Sequence, residues 1–141
     1  MTAADQMPSE SDGARRKTLR TRSNPKPGRD AVLTLKKDNL LVASLPLASN
    51  APLTVCIYYV PDRLIAEAAL TTDYFKLLAQ QPWPGVEELA HAVIDDFNNE
   101  LIPRWISIRI TAHLDAEFSV YMEDRQPLWD NPALLLRVPA D

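Results

Sequence analysis

The stretch LTVCIYYV, residues 53–60, alternates along its length: Leu53, Val55, Ile57 and Tyr59 fall on one side, Thr54, Cys56, Tyr58 and Val60 on the other. A period of two with β-branched and aromatic residues predicts a strand. AVLTLKK, residues 31–37, repeats the pattern more weakly, with Leu33 and Leu35 on one face. RWISIRITA, residues 104–112, aligns Ile106, Ile108 and Ile110, and EFSVYM, residues 117–122, aligns Phe118, Val120 and Met122. Four strands are expected. Between the second and third the period changes. In PGVEELAHAVIDDFNNEL, residues 84–101, Val86, Leu89, Val93, Phe97 and Leu101 form a helical stripe, widened by Ala90 and Ile94. Pro84, Glu87 and Glu88 suit the start of that helix. TTDYFKLLAQQ, residues 71–81, predicts a shorter helix with Thr71 or Thr72 as N-cap, ended by Pro82 and Pro84. LIAEAAL, residues 64–70, fits neither period clearly. The order strand, strand, helix, helix, strand, strand predicts an α+β fold: a four-stranded antiparallel sheet with two helices on one face.

With 141 residues and 46% hydrophobic content the chain suits one domain with a filled core. The periodic body begins at residue 30. Residues 1–29 hold seven Lys or Arg against three acidic residues, whereas residues 30–141 hold eight against sixteen. Rich in Ser, Thr, Pro and charge, residues 1–29 are expected to be a disordered basic tail ahead of a single domain at 30–141. The tail lacks interleaved aromatics and the body behind it is acidic, which favours a solubilising or self-docking arm over one that grips nucleic acid. A single cysteine excludes an internal disulfide framework and fits a reducing compartment. No segment has the apolar length of a membrane span and the N-terminus lacks an apolar run, so a soluble cytoplasmic protein is expected.

Candidate chemistry is sparse. Cys56 lies mid-strand with no Lys, Arg or His beside it in sequence, which favours a small packed residue over a nucleophile. Glu87, His91 and Asp95 recur at i, i+4 and i+8 on one helix face, a spacing that could hold a metal. With only two histidines in the chain, a solvated polar face is the stronger reading, and no metal is expected. Three glycines leave no phosphate loop. The segment from Glu123 to Pro132 mixes Trp129 with Arg125, Gln126, Asp130 and Asn131, a composition suited to a loop pinned by side-chain hydrogen bonds. Packing against the sheet edge or a second subunit is favoured over ligand contact.

Three segments together carry a family likeness. NPKPGRDAVLTL, IYYVPDRLIAE and IPRWISIRI, in that order, resemble the NADPH-dependent 7-cyano-7-deazaguanine reductases, the nitrile reductases of queuosine synthesis. The likeness spans about Asn24 to Val120. It implies the tunnelling fold, a ββααββ unit that closes its exposed edges by forming rings, and hence a homo-oligomer. In that family a cysteine thiolate attacks the nitrile carbon, an aspartate donates a proton and NADPH delivers two hydrides. Counting back from the YVP turn, the cysteine falls on Ser44 and the aspartate on Ala51, so both catalytic groups are replaced. The lysine-rich stretch that holds NADPH phosphates reads AALTTDYF here, and the arginine turn between the last strands reads HLDAEF. The resemblance therefore implies NADPH while its binding motif is eroded, and no cofactor is assigned. Glu87, counted from PRW, matches the carboxylate that anchors a heterocycle, and Glu67 matches a glutamate after the first turn.

The resulting expectation is a divergent, QueF-like protein of queuosine-type chemistry that binds a deazapurine, purine or pterin-like heterocycle at a subunit interface through Glu87 and Glu67, a pseudoenzyme of oxidoreductase descent. Two alternatives stay open: an active NADPH-dependent nitrile reductase using another site, and a non-catalytic oligomeric interaction protein.

Overall fold

A computed structural model describes residues 10–42 and 52–139. Its centre is an antiparallel sheet of β2 (Leu33–Leu41), β3 (Pro52–Val60), β5 (Trp105–Ala112) and β6 (Phe118–Arg125), in that spatial order. A second, two-stranded sheet pairs β1 (Thr21–Ser23) with β4 (Leu64–Ala66). Helices α2 (Thr72–Gln80) and α3 (Val86–Leu101) lie between β4 and β5, α1 (Glu10–Lys17) precedes β1, and the single turn α4 (Pro132–Leu135) follows β6. The fold is mixed α and β with antiparallel sheets.

Strands β3 and β5 place their apolar sets as the sequence pattern expects, whereas in β6 Val120 and Met122 are only partly buried and Phe118 is 43% exposed. Leu53, Val55 and Ile57 of β3 and Ile106, Ile108 and Ile110 of β5 are fully buried, packed in one cluster with Leu89, Val93 and Phe97 of α3. Tyr59 and Tyr74 meet Phe97 edge-on at 5.9 and 6.3 Å between ring centres. The Tyr59 hydroxyl accepts from the Ala66 amide at 2.9 Å, tying β3 to β4. Helix α3 ends where Ile102 turns into the left-handed region, φ 49°, its amide donating to Asn98 O at 3.2 Å. Pro103 then prevents continuation.

Two expectations differ from the structure. Within the stretch expected to be a disordered tail, residues 10–17 form α1 and residues 21–23 form β1. Composition missed this because α1 is held by one buried cation, Arg15, and by Leu19 rather than by an apolar stripe. Thr71 stands at the N-cap of α2 but does not cap through its side chain; its hydroxyl donates to Ala68 O at 2.9 Å, closing the 3-10 turn at Ala68–Leu70. The ambiguous segment 64–70 resolves into β4 and that turn. Among the described residues no helix is long and apolar enough to cross a membrane.

Candidate functional site

Glu67 and Glu87 sit in different surroundings. Glu67 follows β4; its amide donates to Arg20 O at 2.8 Å, and its carboxylate faces Arg22 Nε at 3.2 Å. Glu87 is exposed in the first turn of α3. Its Oε1 and that of Glu88 lie 3.0 and 2.8 Å from where a Cβ on Gly85 would stand, so both carboxylates lean back over the helix start. That placement suits the positive end of the helix dipole. No hydrogen bond or ion pair among the described residues joins Glu67 to Glu87. His91 and Asp95, on the same face of α3, are exposed too. Among the described residues no group of three or more His, Cys, Asp or Glu is placed to hold a metal. Ser44 and Ala51, the positions at which the resemblance leads us to expect the reductases' cysteine and aspartate, lie outside the described residues.

The hollow next to the 3-10 turn that follows Glu67 does not fit NADPH. The surface hollow beside Leu70 is lined by Thr18, Arg20, Ala69, Thr72 and Asp73, so a chain of phosphates would meet one cation and one carboxylate. No step is derived through the nucleotide.

Cys56 is buried as expected, but on the sheet face turned away from α2 and α3. In register it lies between Lys36 of β2 and Arg109 of β5. Distance in sequence hid both cations. These residues line an open groove of about 450 Å³ together with Thr54, Tyr58, Thr111, His113 and Glu117. At one end Thr54 Oγ1 lies 2.8 Å from His113 Nε2, and His113 Nδ1 lies 3.2 Å from Glu117 Oε2.

Two polar clusters lie elsewhere. Asp96, fully buried on α3, takes Arg15 Nε at 2.6 Å and Nη2 at 2.9 Å, Arg16 Nε at 2.8 Å and the Tyr74 hydroxyl at 2.7 Å. Arg15 also donates to Gln81, pairs with Asp12 at 2.9 Å and stands 5.5 Å over the Trp83 ring. Burial alone would lower the Arg15 guanidinium pKa, but the adjoining Asp96 carboxylate raises it overall. Burial first, then the Asp96 charge, pushes the Tyr74 phenol well above its ordinary value. The signal for this cluster was present in IDDF: Asp96 lies three residues after Val93 and seven after Leu89, on the apolar face.

The second cluster centres on Arg104, which reaches Asp30 at 2.9 Å, Asp62 at 3.1 Å and Pro27 O at 2.5 Å. The other Asp30 oxygen accepts from Trp129 Nε1 at 3.2 Å and Asn131 Nδ2 at 3.1 Å. Gln126 donates to Asp62 at 3.3 Å and to Ile102 O at 3.1 Å. Burial alone would raise the Asp30 carboxyl; the donors Asn131, Arg104 and Trp129 outweigh it and hold the group below its usual value. The C-terminal segment is thus pinned to Asp30 and Asp62 by side-chain hydrogen bonds.

No model of a known protein family matches the chain, and no curated protein matches it. Among solved structures the chain is similar to the crystal structure of the archaeosine synthase QueF-Like in the apo form. The two are 17% identical with a TM-score of 0.47, over 67% of this chain and 91% of that one.

Proposed function

We propose that the chain is a tunnelling-fold protein related to the 7-cyano-7-deazaguanine reductases, which binds a deazapurine, purine or pterin-like heterocycle between copies of itself and does not reduce nitriles. The observation that carries this reading is the element order. Two antiparallel strands, two helices and two further antiparallel strands build one sheet in chain order, β2-β3-β5-β6. The apolar stripe of α3 packs on one face of that sheet. Among the described residues β2 pairs only with β3 and β6 only with β5, so both edges of the described sheet offer backbone groups that a neighbouring copy can pair with. Glu87 is the anchor: an exposed carboxylate can accept two ring N–H donors of a 2-amino-pyrimidinone edge. The loss of nitrile chemistry rests on serine and alanine at positions 44 and 51.

A second reading is an oligomeric interaction protein that has lost its ligand. It is favoured by Glu67 being engaged by Arg22 and by Glu87 leaning over Gly85. Calorimetric titration with 7-cyano-7-deazaguanine separates the two. Saturable binding by the parent that Glu87→Gln abolishes supports the heterocycle site. Absence of binding heat in both proteins, with an oligomer seen by sedimentation, supports the interaction protein.

A further inference from the structure

The sheet face away from α2 and α3 carries chemistry independent of Glu87. We propose that Thr54, His113 and Glu117 form a nucleophile, base and positioning acid that cleave small activated esters by acyl transfer through Thr54.

The geometry is that of an activated hydroxyl: nucleophile and base within hydrogen-bond reach, with the base oriented by a third group. One tautomer satisfies both bonds. With the proton on Nδ1, His113 donates to Glu117 at 3.2 Å, and Nε2 accepts the Thr54 hydroxyl at 2.8 Å. The ring is also positioned through its backbone, since the His113 amide donates to Pro52 O at 3.1 Å, two residues before Thr54. The neighbouring hydroxyl on this face is differently engaged: Thr111, directly across from Thr54, shares its bond with Ser119 at 3.0 Å. Thr54 alone of this cross-strand pair faces a base.

The groove supplies the remaining requirements. Its volume of about 450 Å³ admits a small acyl ester. Lys36 and Arg109 also line it, Lys36 Nζ at 3.9 Å from the groove's Asp38 and the Arg109 guanidinium 5.3 Å over the Tyr121 ring, so the cations add a diffuse positive potential rather than a fixed oxyanion hole. The Glu117 side chain is 69% exposed, so the relay works close to water, where electrostatic stabilisation is damped. That restricts the substrate to esters with good leaving groups and excludes amides.

In the reaction, Thr54 Oγ1 bonds to the acyl carbon while its proton passes to His113 Nε2. The tetrahedral intermediate collapses, the bond to the leaving oxygen breaks, and that oxygen takes the proton from His113. Water, deprotonated by His113, then attacks the acyl-threonine. The carboxylic acid leaves and Thr54 regains its proton, so the net change is ester plus water to acid plus alcohol.

The test uses the full chain with p-nitrophenyl acetate, following phenolate release and mapping acetyl groups by peptide mass spectrometry. The expected result is acetylation at Thr54, with release about a hundredfold faster than in Thr54→Val or His113→Gln, the lower end for a general base. Thr54→Ser, which keeps the hydroxyl, should retain activity and guards against a folding defect in the valine variant. Glu117→Gln should slow release, with recovery in Glu117→Asp, as a positioning role requires. Acetyl groups confined to lysines or Cys56, or release by Thr54→Val equal to that of the parent, would overturn the proposal.

Discussion

At the scale of single residues, the charge of Asp96 is the most consequential feature of the core. A carboxylate without solvent exposure survives only if it is paired and hydrogen-bonded, and here Arg15, Arg16 and Tyr74 donate to it. The arrangement makes removal of one partner far costlier than replacement of both. Asp96→Ala leaves the Arg15 guanidinium buried beside Trp83 with Gln81 and Asp12 as its remaining partners. The expected cost is about 3–5 kcal/mol, a large part of the roughly 5–15 kcal/mol available to a domain. Exchanging both groups together, as in Arg15→Met with Asp96→Leu, should restore most of that loss. Urea unfolding of the two single variants and the double variant measures the cycle. A double variant as unstable as the sum of the singles would show that the pair contributes no coupling.

At the scale of elements, α1 is the one whose existence depends on tertiary contact. Eight residues with a glycine inside cannot hold a helix in isolation. Its attachment rests on Arg15 and, two residues beyond its end, on Leu19, which is 3% exposed in the main cluster. Leu19→Ala should therefore cost about 2–3 kcal/mol and act locally, raising the population with α1 detached. Limited trypsin cleavage between Arg15 and Lys17 should speed by roughly thirtyfold while the body stays folded; an unchanged rate would mean that α1 is held by something else. The same element shows what a sequence can reveal. The four sheet strands and two long helices were legible because each carries its own period: Ile106, Ile108 and Ile110 announce β5, and Val86, Leu89, Val93 and Phe97 announce α3. Helix α1 and strand β1 carry no such period, because their stabilising partners lie far along the chain, Asp96 for Arg15 and β4 for β1. The groove was illegible for the same reason. Thr54 and His113 meet only because β3 and β5 pair in register, and the cations flanking Cys56 arrive from strands on either side.

At the scale of the whole molecule, one end of the main sheet is tied by a network that spans nearly the full chain. Asp30 precedes β2, Asp62 follows β3, Arg104 precedes β5, and Gln126, Trp129 and Asn131 follow β6, so antiparallel pairing brings all four strand ends to the same side. Arg104 joins the two carboxylates, and Asp30 gathers Trp129 and Asn131 from the C-terminal segment. These donors favour the ionised form of Asp30 and hold its carboxyl below the usual value near 3.8. The sign of the linkage follows. A group whose pKa is depressed on folding contributes stability that is fully present above the unfolded value and is lost as pH falls through the lower folded value. The thermal midpoint of the protein should therefore fall as pH drops below about 4, and the fall should be shallower in Asp30→Asn, which has no carboxyl to protonate. At neutral pH the asparagine variant should be the less stable of the two, because its neutral amide loses the charge-assisted bond to Arg104. The two curves should converge in acid. Thermal unfolding across that range distinguishes this from a merely steric role: curves that stay parallel down to the lowest pH would show that the charge of Asp30 does not hold the strand ends together.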